Sequence, residues 1–203
     1  MKKVGVLFSA GVESTSLLVY YLERGYLTLP LYARCGLSWE RTELKWSERL
    51  WAFLKYRYKN LMPLKTFPAS GLQPSKGSIE IPLRNITLVM GAVVHAYVKG
   101  IRKVALGSLG IYPFPDNNRD YLDRLEALIS EGARENISLE TPFMGMEKWE
   151  VVREFYRKAP YRLTFSCVKP IIGKHCGKCE KCLERKEGFL KAGVPDPTSY
   201  VSS

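Results

Sequence analysis

The chain alternates short aliphatic runs with longer stretches in which apolar residues recur every three or four positions. Lys2 to Phe8 is an aliphatic run that stops at small residues, which predicts a buried first strand. From Ser14 onward, Leu17, Leu18, Tyr21 and Leu22 fall at helical spacing, and Gly25 closes the helix. Leu27 to Ala33 reads as a second strand and Met62 to Phe67 as a third. Between them Glu40 to Tyr58 forms a long helix, with Leu44, Leu50, Trp51 and Leu54 on its apolar side. Pro68 to Ser78, rich in Pro, Gly and Ser, predicts a mobile loop. Asn85 to Val98 is a helix so nearly all apolar that burial against the sheet is expected. Lys103 to Gly107 and Ile137 to Thr141 supply two more strands. Asp120 to Arg134 and Glu147 to Lys158 are helices, and Pro160 ends the second.

Strands and helices in this alternation predict an α/β fold, a parallel five-stranded sheet flanked by helices. Beyond Pro160 the alternation stops. The expected division is therefore an α/β domain over 1–160 and a small C-terminal zinc-binding module over 161–203. Open parallel sheets bind ligands at the carboxyl ends of their strands. That places Ser9 to Ser14, Arg34 to Ser38, Ser108 to Asp116 and Pro142 to Met146 along one rim.

Composition changes this picture only slightly. A chain of 203 residues with 46% hydrophobic residues can bury a sizeable core. No apolar run approaches the roughly 20 residues that span a bilayer. The five apolar residues after the starting lysines are too few for a secretion signal, so a soluble cytoplasmic protein is expected. The formal charge of +11 fits a nucleic-acid partner, an anionic substrate or simply a solvated basic surface.

The loop Ser9-Ala10-Gly11-Val12-Glu13-Ser14-Thr15 follows a strand and opens a helix. Small residues let the backbone approach an anion, and a helix N-terminus offers unpaired N–H groups and a positive dipole end. Ser9, Ser14 and Thr15 add hydroxyl donors. This is a phosphate cradle by mechanism, although a capped strand-to-helix turn uses the same residues. It is neither a Walker A loop nor the Gly-x-Gly-x-x-Gly fingerprint.

Four of the five cysteines, Cys167, Cys176, Cys179 and Cys182, stand as C-x₈-C-x₂-C-x₂-C. Four thiolates at about 2.3 Å make a closed tetrahedral Zn²⁺ site with no position left for chemistry. Gly173 and Gly177 supply bends, and Lys174, Lys178, Lys181, Arg185 and Lys186 offset the negative charge. An iron–sulfur cluster is the competing reading. His175 is a substitute ligand that four cysteines make unnecessary, and His95 lies on the apolar helix as a bystander.

Two resemblances rest on these residues. Ser9 to Ser14 resembles the Ser-Gly-Gly-x-Asp-Ser signature of the PP-loop ATP pyrophosphatases, with Ala10 for the first glycine and Glu13 for the aspartate. The stretch from Cys176 to Arg185, then Gly188-Phe189, Ala192-Gly193 and Asp196-Pro197, looks like the end of the 7-cyano-7-deazaguanine synthases. Thr164-Phe165-Ser166-Cys167, Pro82-Leu83-Arg84-Asn85, Pro115-Asp116 and Thr141-Pro142 with Lys148-x-Glu150 fit the same family in the same order. The resemblance therefore runs from the first strand to Pro197.

It implies an ATP-dependent ligase that converts 7-carboxy-7-deazaguanine and ammonia to the nitrile, with ATP, Mg²⁺ and Zn²⁺ as cofactors. The implied ATP loop comprises Phe8, Ser9, Ala10, Gly11, Val12, Glu13, Ser14, Thr15, Ser16, Leu17 and Leu18. Ser9, Glu13, Ser14 and Lys148 are the implied catalytic residues, Glu13 helping to hold Mg²⁺. Arg84, Asn85 and Asp116 are the implied substrate contacts, and a homodimer is expected, with Trp39, Trp46 and Trp51 at its interface or packed inside. Cys35-Gly36-Leu37-Ser38-Trp39 departs from the family's Tyr-Gly-Gln-x-His. Asn117-Asn118 departs as well, at positions expected to face the substrate, so the same chemistry on a related carboxylate stays open. The alternatives are a PP-loop enzyme of tRNA thiolation, with Cys35 as its thiol, and a nucleotide-binding module without catalysis.

Overall fold

The protein is described from a computed structural model covering residues 1–69, 71, 72, 81–111 and 114–201. Five strands, β1 (Lys3–Leu7), β2 (Leu27–Arg34), β3 (Lys65–Pro68), β4 (Lys103–Ala105) and β5 (Ser138–Glu140), form one sheet in the order β3-β2-β1-β4-β5. Every pairing is parallel. Among the described residues six α-helices alternate with or follow them: α1 (Val12–Glu23), α2 (Glu40–Arg57), α3 (Arg84–Tyr97), α4 (Arg119–Ala133), α5 (Lys148–Phe155) and α6 (Glu180–Lys191).

Alternate residues of a strand point to opposite faces, so each face of the sheet buries its own layer. Val4 and Val6 of β1 face a core built with α1, α2, α5 and α6. Leu7 turns to a second core, which β2 and β4 share with α3 and α4. Gly5 lies beneath α3; a Cβ there would stand 3.3 Å from that of Ala96 and 3.0 Å from Leu31 Cδ1. At the β5 edge, Glu126 accepts the amide of Leu139 at 2.6 Å and Arg119 donates to its carbonyl at 2.9 Å. The open edge is thus closed by side chains of α4.

The elements fall where periodicity predicts them, with shifts at their ends. The third strand starts at Lys65 rather than Met62, because Leu61 and Met62 meet β2 only through Thr28. Helix α3 departs from expectation in its burial. Val89, Ala92, Val93 and Ala96 are buried, whereas Met90, Val94 and the adjoining Val98 are exposed, because the sheet covers a single face of the helix. His95 stacks on Phe67 with ring centroids 5.2 Å apart. Gly91 makes room for that ring, since a Cβ would lie 2.3 Å from it. In the segment read as a mobile loop, Ala69 and Leu72 are buried in the second core. Ser70 and residues 73–78 lie outside the described residues.

The chain beyond Pro160 is joined to the sheet rather than hung from it. Phe189 of α6 and Ala192 at its C-cap belong to the first core. Tyr161 donates to the carbonyl of Val151 at 3.3 Å and meets the Ser16 hydroxyl at 2.7 Å. Trp46 donates to Gly173 at 3.0 Å and stacks on Phe165, and Trp51 donates to Met62. Both tryptophans are used inside the subunit.

Candidate active site and metal centre

The strand order reverses between β1 and β4, and the loops leaving those two strands define the site. The turn after β1 is tight. Ala10 sits in the left-handed region at φ 57°, and Gly11 is the extended N-cap of α1, with no side chain bonded across that helix end. A Cβ on Gly11 would meet Ser9 Oγ at 3.4 Å, Ser14 Oγ at 3.8 Å and Glu13 Oε2 at 3.9 Å. Hydroxyls, carboxylate and free helix amides therefore converge on one small concavity, which suits a phosphate and its metal ion. Ser14 Oγ donates to the Gly11 carbonyl and lies 3.4 Å from Ser9 Oγ. Thr15 Oγ1 is buried and without a hydrogen-bond partner.

Other residues of the expected ATP loop have a different place. Phe8, Ala10, Val12, Leu17 and Leu18 are in the first core, and Ser16 is sealed between Val12 and Tyr161. They support the loop, and its accessible face is made by Ser9, Gly11, Glu13 and Ser14. Gly107, just after β4, closes the other wall. Its absent Cβ would stand 3.1 Å from the Glu13 carbonyl carbon and 3.2 Å from the Ser14 nitrogen.

Lys148 opens α5 immediately after Glu147, whose side chain forms a reciprocal capping box with Glu150. Its ammonium lies 2.7 Å from Glu13 Oε1 and 2.7 Å from Glu184 Oε1 of α6, and only 12% of the side chain is exposed. Ser9, Glu13, Ser14 and Lys148 thus come from two distant segments to one place.

Arg84 and Asn85 begin α3. The Asn85 amide donates to Asp116 Oδ2 at 2.9 Å, and its Nδ2 donates to the Asp116 carbonyl and Oδ1. Asp116 therefore caps α3, and the two residues hold two rim loops together. Asn117 is buried and accepts from Ser108, while Asn118 caps α4 by accepting from Tyr121 at 2.9 Å. Asn117 thus ties its loop to the Ser108 side chain, and Asn118 serves the backbone of α4 and of Pro115.

After β2, Glu40 accepts from Gly36 and pairs with Arg34, fixing the loop that replaces the family's usual motif. Behind it Tyr32 donates to Glu43 Oε1 at 2.9 Å. Burial pushes the Glu43 carboxyl up to about 7, against the opposing Tyr32 hydrogen bond and the Arg84 charge. Burial likewise pushes the Cys35 thiol up to about 11, so it is protonated at neutral pH. Sequence reasoning missed Glu43, Glu184 and Gly107. Glu43 had no role assigned to it, Glu184 lay unremarked within the stretch from Cys176 to Arg185, and Gly107 read as a strand end.

The four C-terminal cysteines are buried, and their Sγ atoms all lie within 4.8 Å of one another. Cys167 and Cys179 are 3.8 Å apart, and Cys176 and Cys182 4.0 Å. A tetrahedron with Zn–S of about 2.3 Å has S···S edges of about 3.8 Å, so the set fits zinc. Amides of Cys176 and Cys179 donate to Cys167 Sγ and Cys176 Sγ, each at 3.3 Å. His175 is buried outside the set and accepts from the Ser166 amide at 3.1 Å.

Comparison with known proteins agrees with this arrangement. The family model described as queuosine biosynthesis protein QueC matches residues 3–193. A 7-cyano-7-deazaguanine synthase of Ralstonia pickettii is 30% identical across 98% of this chain and 99% of its own. One of Paramagnetospirillum magneticum is 28% identical over the full length of both, and one of Nautilia profundicola 25% over 98% and 99%. The chain belongs to the queuosine biosynthesis protein QueC family.

Proposed function

We propose that the protein uses ATP to convert 7-carboxy-7-deazaguanine and ammonia to 7-cyano-7-deazaguanine. The observation that carries this reading is the convergence of Ser9, Gly11, Glu13, Ser14 and Lys148 in a chain whose family match spans residues 3–193. A carboxylate oxygen is a poor leaving group. Its attack on the α-phosphorus of ATP expels pyrophosphate and gives an acyl adenylate. Ammonia adds to the acyl carbon, AMP and a proton leave, and the amide forms. A second ATP adenylates the amide oxygen, releasing pyrophosphate and a proton, and loss of AMP from that intermediate then leaves the nitrile.

The protein's part is positioning and charge compensation. The α1 amides and the Ser9 and Ser14 hydroxyls hold the phosphates. Lys148 supplies a positive charge beside them, where anionic charge develops as pyrophosphate leaves. Glu13 is the carboxylate that would hold Mg²⁺, which when bound neutralises phosphate charge. Arg84 is a substrate contact on this reading, with Asn85 and Asp116 fixing its surroundings. The cysteines would hold a structural zinc that takes no part in the reaction. The homodimer is supported by Met90, Val94 and Val98, exposed along one face of α3. The thiolation alternative is weakened by the raised Cys35 thiol.

The test is incubation with ATP, ammonium and 7-carboxy-7-deazaguanine, followed by mass measurement of the product. Nitrile with two AMP released per turnover is expected. AMP release with a different acid only would move the reading to that substrate, and none with any acid would end it.

A further inference from the structure

We propose that Glu184 and Gly188 of α6 are positioning residues for Lys148, so that the helix leading out of the cysteine site sets where this ammonium stands at the ATP loop. Lys148 lies between two carboxylates at 2.7 Å each, Glu13 on the loop and Glu184 on α6. Glu184 is itself oriented, because its other oxygen accepts from Lys181 at 2.7 Å one turn earlier. With one oxygen for each lysine, the Glu184 carboxylate cannot rotate freely. Without Glu184, this carboxylate no longer opposes the pull of Glu13, and the ammonium shifts toward the loop carboxylate.

The stem of Lys148 is placed by a second device. A Cβ at Gly188 would stand 2.9 Å from both Lys148 Cγ and Cδ. These are mid-chain atoms, which cannot swing away as a side-chain tip can. Glycine inside a helix costs about 1 kcal/mol relative to alanine. Here that cost opens the channel along which Lys148 reaches Glu13. Helix α6 starts from Cys179 and carries Cys182 in its first turn, so the cysteine site fixes the base of this support. The function is therefore shared: the C-terminal segment contributes its fold and also the placement of a catalytic group.

This inference rests on the proposed role of Lys148 with ATP. It is tested by Glu184→Gln in the wild-type and Lys148→Gln backgrounds and by Gly188→Ala alone. The readouts are calorimetric ATP·Mg²⁺ affinity, kcat for AMP release, zinc content and melting temperature. Glu184→Gln should lower kcat about tenfold and weaken ATP·Mg²⁺ binding about threefold, with zinc content and melting temperature retained. In the Lys148→Gln background it should add less than about twofold. Gly188→Ala should lower kcat with zinc content retained, its melting temperature changing little because the helix gain of about 1 kcal/mol offsets the forced shift of the Lys148 stem. Equal losses from Glu184→Gln in both backgrounds, or losses that follow zinc content or melting, would overturn the proposal. If the wild type binds ATP·Mg²⁺ but makes no nitrile, the substrate reading fails by itself. The cycle is then decided on affinity, where a Lys148-dependent shift supports the positioning role and no shift refutes it.

Discussion

The backbone amide of Phe165 donates a 2.8 Å hydrogen bond to the carbonyl of Ala10. Phe165 packs among the four cysteines, and Ala10 is the left-handed turn of the loop proposed to cradle phosphate. One bond thus joins the four-cysteine site to the proposed ATP loop, and the ion pairs of Lys148 form a second joint.

Metal removal should therefore be felt at both places. A closed four-cysteine site contributes to folding directly. Chelation, or Cys179→Ser, is expected to lower the melting temperature, shift the emission of Trp46 and weaken ATP binding. Trp46 reports locally because it stacks on Phe165 and donates to Gly173. Cys35→Ser should alter none of the three. Unchanged melting and emission in metal-free protein would refute a structural role for the site.

Ala10 tests how strongly the loop conformation is imposed. A left-handed alanine costs about 1–2 kcal/mol, which glycine would relieve. Against that, Ala10→Gly forfeits a fully buried methyl worth about 0.8 kcal/mol. It also loosens the unfolded chain by about 0.4–1 kcal/mol. The opposing effects nearly cancel, so denaturant melts should place Ala10→Gly within about 1 kcal/mol of wild type. Ala10→Val puts a β-branched residue at positive φ in a filled core and should be severely destabilising.

Glu43 predicts an unusual pH dependence. Its carboxyl is raised from 4.5 to about 7, first by burial. The folded protein holds this proton more tightly than the unfolded chain. Stability from this group is hence complete below pH 4.5 and declines as pH rises toward 7, the reverse of a salt-bridged carboxylate. Glu43→Gln keeps an acceptor for Tyr32. It should exceed wild type by about 1–2 kcal/mol at pH 8, allowing for partial exposure, and match it in acid. Urea melts of both proteins at the two pH values decide it.

Arg185 is wholly buried, paired with Asp196 and bonded to Thr164 Oγ1 at 2.7 Å and the Tyr161 carbonyl at 3.0 Å. Arg185→Leu leaves Asp196 without its counter-charge and should cost about 3–5 kcal/mol. Adding Asp196→Asn should recover part of the loss in thermal unfolding. An additive double variant would mean that the two residues act independently.

The sequence by itself determined the elements and marked the two candidate sites, the loop after β1 and the four cysteines. Apolar spacing is a local property, so β1, α1 and the alternation up to α5 were legible within a few residues at each end. The cysteine spacing and the small residues from Ser9 to Ser14 were equally plain, because metal and phosphate each demand particular atoms close together in the chain. Only the tertiary structure decided which side chains meet across it. Lys148 was singled out only through the family resemblance and Glu184 was given no role, until the packing of α5 on α6 set Lys148 between Glu13 and Glu184. Phe8, Leu17 and Leu18 share the motif with Ser9 and Glu13 yet face the core, since a strand and a helix must bury one side. The contacts of Asn117 with the Ser108 hydroxyl and of Asn118 with the first turn of α4 were likewise decided by how the chain folds around them. Local patterns specify local structure, whereas a site depends on distances between residues far apart in sequence, and those are set by how the layers pack.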